Sequence, residues 1–180
     1  MRNTFVKPFA AAVGLSIAAL VVAAPAALGA ALAKPLPAPP FSGIEQWHNS
    51  PPLVLAQLRG KVVLVDFWTH SCINCYHTLP FVKAWHDKYQ AQGLVVVGVH
   101  TPEYPEERDS AGVAAAIRKF GIRFAVAQDN GYATWNAYHN RYWPAFYLID
   151  KQGRIVYQHF GEGRYEETEA AIRALLAQAG

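Results

Sequence analysis

Two cysteines occur in the 180 residues of this chain, and they stand three apart, at Cys72 and Cys75. They close the segment Asp66-Phe67-Trp68-Thr69-His70-Ser71-Cys72-Ile73-Asn74-Cys75, which follows the apolar run Lys61-Val62-Val63-Leu64-Val65. A cysteine pair at this spacing, where a strand hands over to a helix, is laid out as a dithiol that is oxidised and reduced in turn. A structural zinc site takes four ligands. His70 and His77 flank the cysteines, so a compact Cys2His2 set stays open, although its ligands would crowd into eight consecutive residues. Covalent haem attachment takes a histidine directly after the second cysteine, and Tyr76 stands there instead. An inert disulfide would close too short a loop to restrict the unfolded chain much.

The redox reading assigns a role to each group. Cys72 is expected at a helix N-terminus, where unpaired N–H groups and the helix dipole favour a thiolate. It is therefore the attacking nucleophile. Cys75, one turn further in, is expected to be more buried, to keep its proton longer and to resolve the mixed disulfide. Asp66 is a carboxylate inside an otherwise apolar strand; burial would raise its pKa and make it a proton-transfer group for Cys75. Its plain alternative is a strand-end residue facing water.

These groups need elements to hold them. Lys61 to Phe67 reads as a buried central strand, and Leu94 to Val99 as a second. Between them a helix is expected from Cys72 to about Gln90, with Leu79, Val82, Trp85 and Tyr89 at helical spacing and Pro80 inside it. Strand, helix, strand implies a right-handed parallel crossover. Leu53-Val54-Leu55 reads as a short edge strand, Thr101 to Asp109 as a loop, and Ser110 to Phe120 as a helix capped by Ser110 and closed by Gly121. Phe124 to Ala127 is a third strand, and Asn130 to Tyr138 a helix with Trp135 and Tyr138 facing inward. Ala145 to Asp150 and Arg154 to His159 form a hairpin about Lys151-Gln152-Gly153. A last helix, about Tyr165 to Ala177, buries Tyr165, Ile172, Leu175 and Leu176. The order predicts an α/β fold, a sheet with helices on both faces.

Residues 1–33 read as a targeting segment. Arg2 and Lys7 give a basic start, no charge follows from Pro8 to Ala33, and Ala31-Leu32-Ala33 offers small residues for cleavage before Lys34. An uncleaved membrane anchor is the alternative; with no cysteine near the site, a lipid anchor is not expected. Either places the dithiol outside the cytoplasm, where disulfides persist. Residues 34–41, rich in proline, are expected as an unpacked spacer, and 42–180 as one domain. Losing Arg2 and Lys7 with the leader lowers the formal charge from +3 to +1, and no basic stripe supports nucleic acid binding.

The motif segment, together with Trp143-Pro144-Ala145-Phe146-Tyr147-Leu148-Ile149-Asp150, resembles the thioredoxin fold. Within it, residues 42–178 are most similar to TlpA-like extracytoplasmic thiol–disulfide oxidoreductases and to the thioredoxin-like domain of DipZ-type proteins. Ser71-Cys72-Ile73-Asn74-Cys75, Gly98-Val99-His100-Thr101-Pro102-Glu103 and Tyr132-Ala133-Thr134-Trp135-Asn136-Ala137-Tyr138 carry that resemblance. It implies a three-layer thioredoxin-like fold with an α-β insertion before the proline and a redox-active Cys72–Cys75 disulfide. It also implies a cis-proline at Pro144 beside Cys72, and substrate contact through Trp143, Pro144 and Trp68. Trp68 has simple core packing as its alternative. Trp143 stands where smaller residues are common and is expected to shield the disulfide or narrow partner choice. Ser71 replaces the usual Trp, Asn74 the usual Pro, and Thr78 the Glu of many TlpA-like reductases; His70 and His77 are expected on the surface.

The function expected is a periplasmic oxidoreductase exchanging disulfides with thiol-containing proteins, preferentially as a reductase. The implied partner is a membrane electron donor of the DsbD or CcdA type, and the protein is expected to be a monomer without cofactor or bound metal. A copper or metal chaperone of the same fold, and a binding module locked by its dithiol, are the competing readings.

Overall fold

The computed structural model describes Met1 and residues 31–179. Seven strands, β1 (Ala31–Pro37), β2 (Gln46–His48), β3 (Val62–Trp68), β4 (Leu94–His100), β5 (Ala125–Gln128), β6 (Ala145–Ile149) and β7 (Arg154–Phe160), form one sheet in the order β1-β7-β6-β3-β4-β5-β2. Helices α1 (Ile73–Tyr89), α2 (Ser110–Phe120), α3 (Ala133–Ala137) and α4 (Tyr165–Leu176) join and cover it.

β3 lies inside the sheet between β4 and β6; six of its seven residues are apolar, Asp66 is the exception, and all seven are buried. It pairs in parallel with β4, Val62 opposite Leu94 through Trp68 opposite His100, and antiparallel with β6. The parallel pair requires a crossover, and α1 supplies it. Side chains alternate along β3. Val62, Leu64 and Trp68 enter one core with Cys75, Leu79, Val82 and Trp85 of α1, Val113 and Ile117 of α2, and Ile172 and Leu175 of α4. Val63, Val65 and Phe67 enter the other with Trp135, Tyr138 and Tyr147. Each fully enclosed aliphatic side chain contributes roughly 1.5–3 kcal/mol, so this double layer fixes the strand that ends at the cysteine motif. Gly98 belongs to that close packing: a Cβ there would stand 2.9 Å from Trp68 Nε1 and 3.0 Å from the Phe124 ring.

Several expectations need correction. The proline-rich stretch 34–41 is not a free spacer: through Pro37 it is part of β1, which pairs antiparallel with β7, and Ala38 N–H donates to Gly153 O at 3.0 Å. Prolines are tolerated there because β1 is an edge strand. Leu53-Val54-Leu55 is no strand; it leads into a 3-10 turn at Leu55–Leu58, and the β5 edge is taken by β2 instead. The α2 cap is Asp109, whose carboxylate accepts the N–H groups of Ala111 and Gly112. α3 starts only at Ala133, because Tyr132 is left-handed at φ 59°. The 101–109 connection contains a 3-10 turn at Pro105–Arg108. The expected leader lies outside the described residues apart from Met1 and residues 31–33, and no helix among the described residues is long and apolar enough to cross a membrane.

Candidate active site

Cys72 is the N-cap of α1, and its sulfur accepts the backbone N–H of Cys75 at 3.2 Å. The first turn of a helix leaves its N–H groups unpaired, so the cap position turns backbone donors onto the thiol. Both cysteines are thiols here, Cys72 half-buried and Cys75 buried. The two titrate apart. The hydrogen bond between the cysteines, helped by the N–H groups of Cys75 and Asn74, outweighs partial burial and the Glu103 charge and lowers the Cys72 thiol to about 7. Burial, with the hydrogen bond and charge of Cys72, pushes the Cys75 thiol up, out of the range in which it ionises unaided.

Asp66 has no exposed surface and both its carboxylate oxygens lack a hydrogen-bond partner. It sits between Gly98 on β4 and Phe146 on β6, and alternation along β3 turns it toward the α1 face with Leu64 and Trp68. Burial first, then the charge of Cys72, raises its carboxyl to about 8. The Asp66 charge in turn acts on the Cys75 thiol and helps to keep it protonated. The water-facing alternative for Asp66 is excluded.

The peptide bond between Trp143 and Pro144 is cis. Pro144 is buried at the start of β6, one residue beyond the Phe67–Ala145 pair, so it lies at the sheet end from which α1 departs. Trp143 is half-buried; its indole N–H donates to Thr101 O at 3.0 Å and its ring lies 4.2 Å from that of Trp135. Trp68 is only 1% exposed, edge-on to His100, and shares a core with Cys75 and Leu79. It is core, not a substrate contact, because no partner can reach it. Thr78, where a second carboxylate was in question, is buried and turns its hydroxyl to Cys75 O.

His77 is on the surface beside Glu162. His70 is not simply exposed: it is half-buried and stacks on His100, because the turn before Cys72 folds it back against β4. The four ligands of a Cys2His2 site are thus not gathered, and among the described residues no cluster of three or more His, Cys, Asp or Glu could hold a metal.

Sequence reasoning gave His100 and Glu107 no role. His100 Nε2 lies 3.1 Å from His70 Nδ1 and 3.4 Å from Thr69 Oγ1. Glu107, 1% exposed, accepts Ser71 N–H at 3.2 Å, Ser71 O–H at 2.5 Å, Glu103 N–H at 2.5 Å and Tyr104 N–H at 3.0 Å. Burial alone would push its carboxyl up; bonds from Ser71, Thr69 and the two backbone N–H groups overcome this and hold it at about 2. In sequence Glu107 is one of several charges in the proline-containing stretch 101–109, expected only as a loop, and nothing local marks it as enclosed.

Residues 37–158 match the AhpC/TSA family. Over 145 residues the chain is 50% identical to protein DipZ of Mycobacterium bovis, covering 79% of this chain and 21% of that protein. It thus spans about a fifth of the length of this relative. It is 32% identical over 143 residues to the thiol-disulfide oxidoreductase YkuV of Bacillus subtilis, covering 79% of this chain and 95% of YkuV. A crystal structure of a thioredoxin-like superfamily protein superposes with a TM-score of 0.75 at 31% identity, covering 81% of this chain and 99% of that one.

Proposed function

The chain belongs to the AhpC/TSA family, among thiol–disulfide oxidoreductases of thioredoxin-like fold, and we propose that it works in the periplasm as a reductase of protein disulfides. The observation that carries this reading is Cys72 at the N-cap of α1 with its sulfur on the Cys75 N–H, its charge acting on a buried and unpaired Asp66.

In the reductive direction the Cys72 thiolate attacks one sulfur of a client disulfide. One client thiolate leaves and a Cys72–client disulfide forms. Asp66 takes the Cys75 proton, Cys75 attacks the Cys72 sulfur, and the second client thiolate departs, leaving the Cys72–Cys75 disulfide. Two electrons and two protons from a dithiol donor restore the starting state. That donor is proposed to be a membrane protein of the DsbD or CcdA type. Nucleophilic thiols held near 7 belong to reducing couples, whereas those near 3.5 belong to strong oxidants; Cys72 at about 7 supports the reductive direction. Trp143, half-buried before the cis-proline, is proposed to line the client strand and narrow which clients dock.

The periplasmic placement rests on the basic start at Arg2 and Lys7 and the uncharged stretch from Pro8 to Ala33, proposed to be cleaved before Lys34, which shortens β1 and keeps its Leu36–Ile155 and Pro37–Arg154 pairs. The domain is proposed to act as a monomer.

Equilibrating the protein in dithiothreitol or glutathione buffers and titrating the dithiol tests the reading. A reversible two-electron couple with turnover of a disulfide substrate is expected. Tight stoichiometric copper or zinc binding without turnover would replace it with the metal-chaperone reading.

A further inference from the structure

The turn between β3 and the α1 cap has three residues, Thr69, His70 and Ser71, and each is tied to the last residue of β4 or to the chain that leaves it. Thr69 Oγ1 and His70 Nδ1 both face His100 Nε2. Ser71 gives both its N–H and its O–H to the Glu107 carboxylate, whose other oxygen takes the N–H groups of Glu103 and Tyr104. Two connections 36 residues apart in sequence are thereby locked together directly before the nucleophile. Nothing else in the turn is as firmly held: the Cys72 N–H reaches Thr69 O only at 3.4 Å.

We propose that Glu107 is a positioning residue for Cys72, its enclosed carboxylate clamping the Thr69–Ser71 turn so that the sulfur stays at the N-cap on the Cys75 N–H. This deepens, and rests on, the reading of Cys72 as the nucleophile. The carboxylate does not touch the reacting sulfurs. It acts through Ser71, by fixing the direction from which the chain enters α1. Two physical effects compete. A negative charge near Cys72 opposes its ionisation, so removing that charge would favour the thiolate. Releasing the turn would take the sulfur off the helix donors and disfavour it. The clamp requires that the second effect win, which gives the test a sign.

Glu107→Gln offers one oxygen and an amide in place of two oxygens, so it cannot satisfy Ser71 and the Glu103–Tyr104 pair together. Ser71→Ala deletes the O–H bond and leaves the Glu107 charge in place. Ser71→Thr keeps the hydroxyl. The Cys72 midpoint is read in the reduced full chain by thiolate ultraviolet absorbance and by alkylation rate against pH. Glu107→Gln and Ser71→Ala are expected to raise it by about one unit, lowering the thiolate fraction at neutral pH roughly fivefold, while Ser71→Thr matches the wild type. Attack on a disulfide would slow only about twofold, because the more basic thiolate is the better nucleophile. A midpoint that falls or stays put in Glu107→Gln overturns the clamp. Should that variant fail to fold, an unmoved midpoint in Ser71→Ala overturns it equally. A wild-type midpoint among ordinary thiols removes the nucleophile and the clamp together; one near 7 that neither variant moves removes the clamp alone.

Discussion

His70 Nδ1 and His100 Nε2 stand 3.1 Å apart with their rings stacked at an interplanar angle of 15°. Burial first, then the neighbouring His70 with a smaller contribution from His48, lowers the His100 imidazole from 6.5 to about 3, against the opposing Glu107 charge. The folded chain therefore refuses a proton that the unfolded chain accepts. His100 contributes stability that is complete above its unfolded pKa of 6.5 and is lost as pH falls toward about 3. The expected cost is at most about 1.4 kcal/mol per pH unit. Urea unfolding across that window should show the decline, and His100→Gln should flatten it; parallel pH profiles would contradict this.

The two thiols should separate in trapping experiments. Cys75→Ser should hold a client in a mixed disulfide with Cys72, while Cys72→Ser traps none. Iodoacetamide labelling of Cys72 in the reduced wild type should rise with a midpoint at about pH 7, with Cys75 unreactive there. Labelling of Cys75 before Cys72 would reverse the assignment.

Asp66→Asn should slow resolution by Cys75 and leave the initial attack by Cys72 nearly unchanged, as single-turnover kinetics would register. Stability supplies an independent readout. The Asp66 carboxyl is raised from 3.8 to about 8, so its contribution is complete below 3.8 and is lost as pH rises through about 8. Asp66→Asn should therefore gain on the wild type between those values by up to about 1.4 kcal/mol per pH unit. Equal resolution rates would take Asp66 out of the reaction.

Gly98→Ala should destabilise the fold by about 1–3 kcal/mol, since the added methyl meets the Trp68 indole and the Phe124 ring. Neither ring can swing aside in a filled core. Thermal unfolding measures the loss, and a variant as stable as wild type would mean that the ladder has slack.

What could be read in the sequence was whatever is written locally. β3, β4 and β7 are long β-branched or alternating runs, and α1 and α4 carry helical stripes, so their ends fall within a residue or two of expectation. β1 was missed because prolines mask a strand whose hydrogen bonds all lie on one side. β2, Gln46-Trp47-His48, is too short to show alternation and exists because β5 offers it an edge. The cysteines and Asp66 were legible from residue type in context. His100 and Glu107 were not, because their roles come from partners 30 and 36 residues away that only the parallel crossover brings near.

β1 and β2 are the two edge strands of the sheet, and Pro35 and Pro37 remove N–H donors from β1. Exposed strand margins template pairing with another chain, and on the β1 side the missing donors leave less for such a chain to pair with.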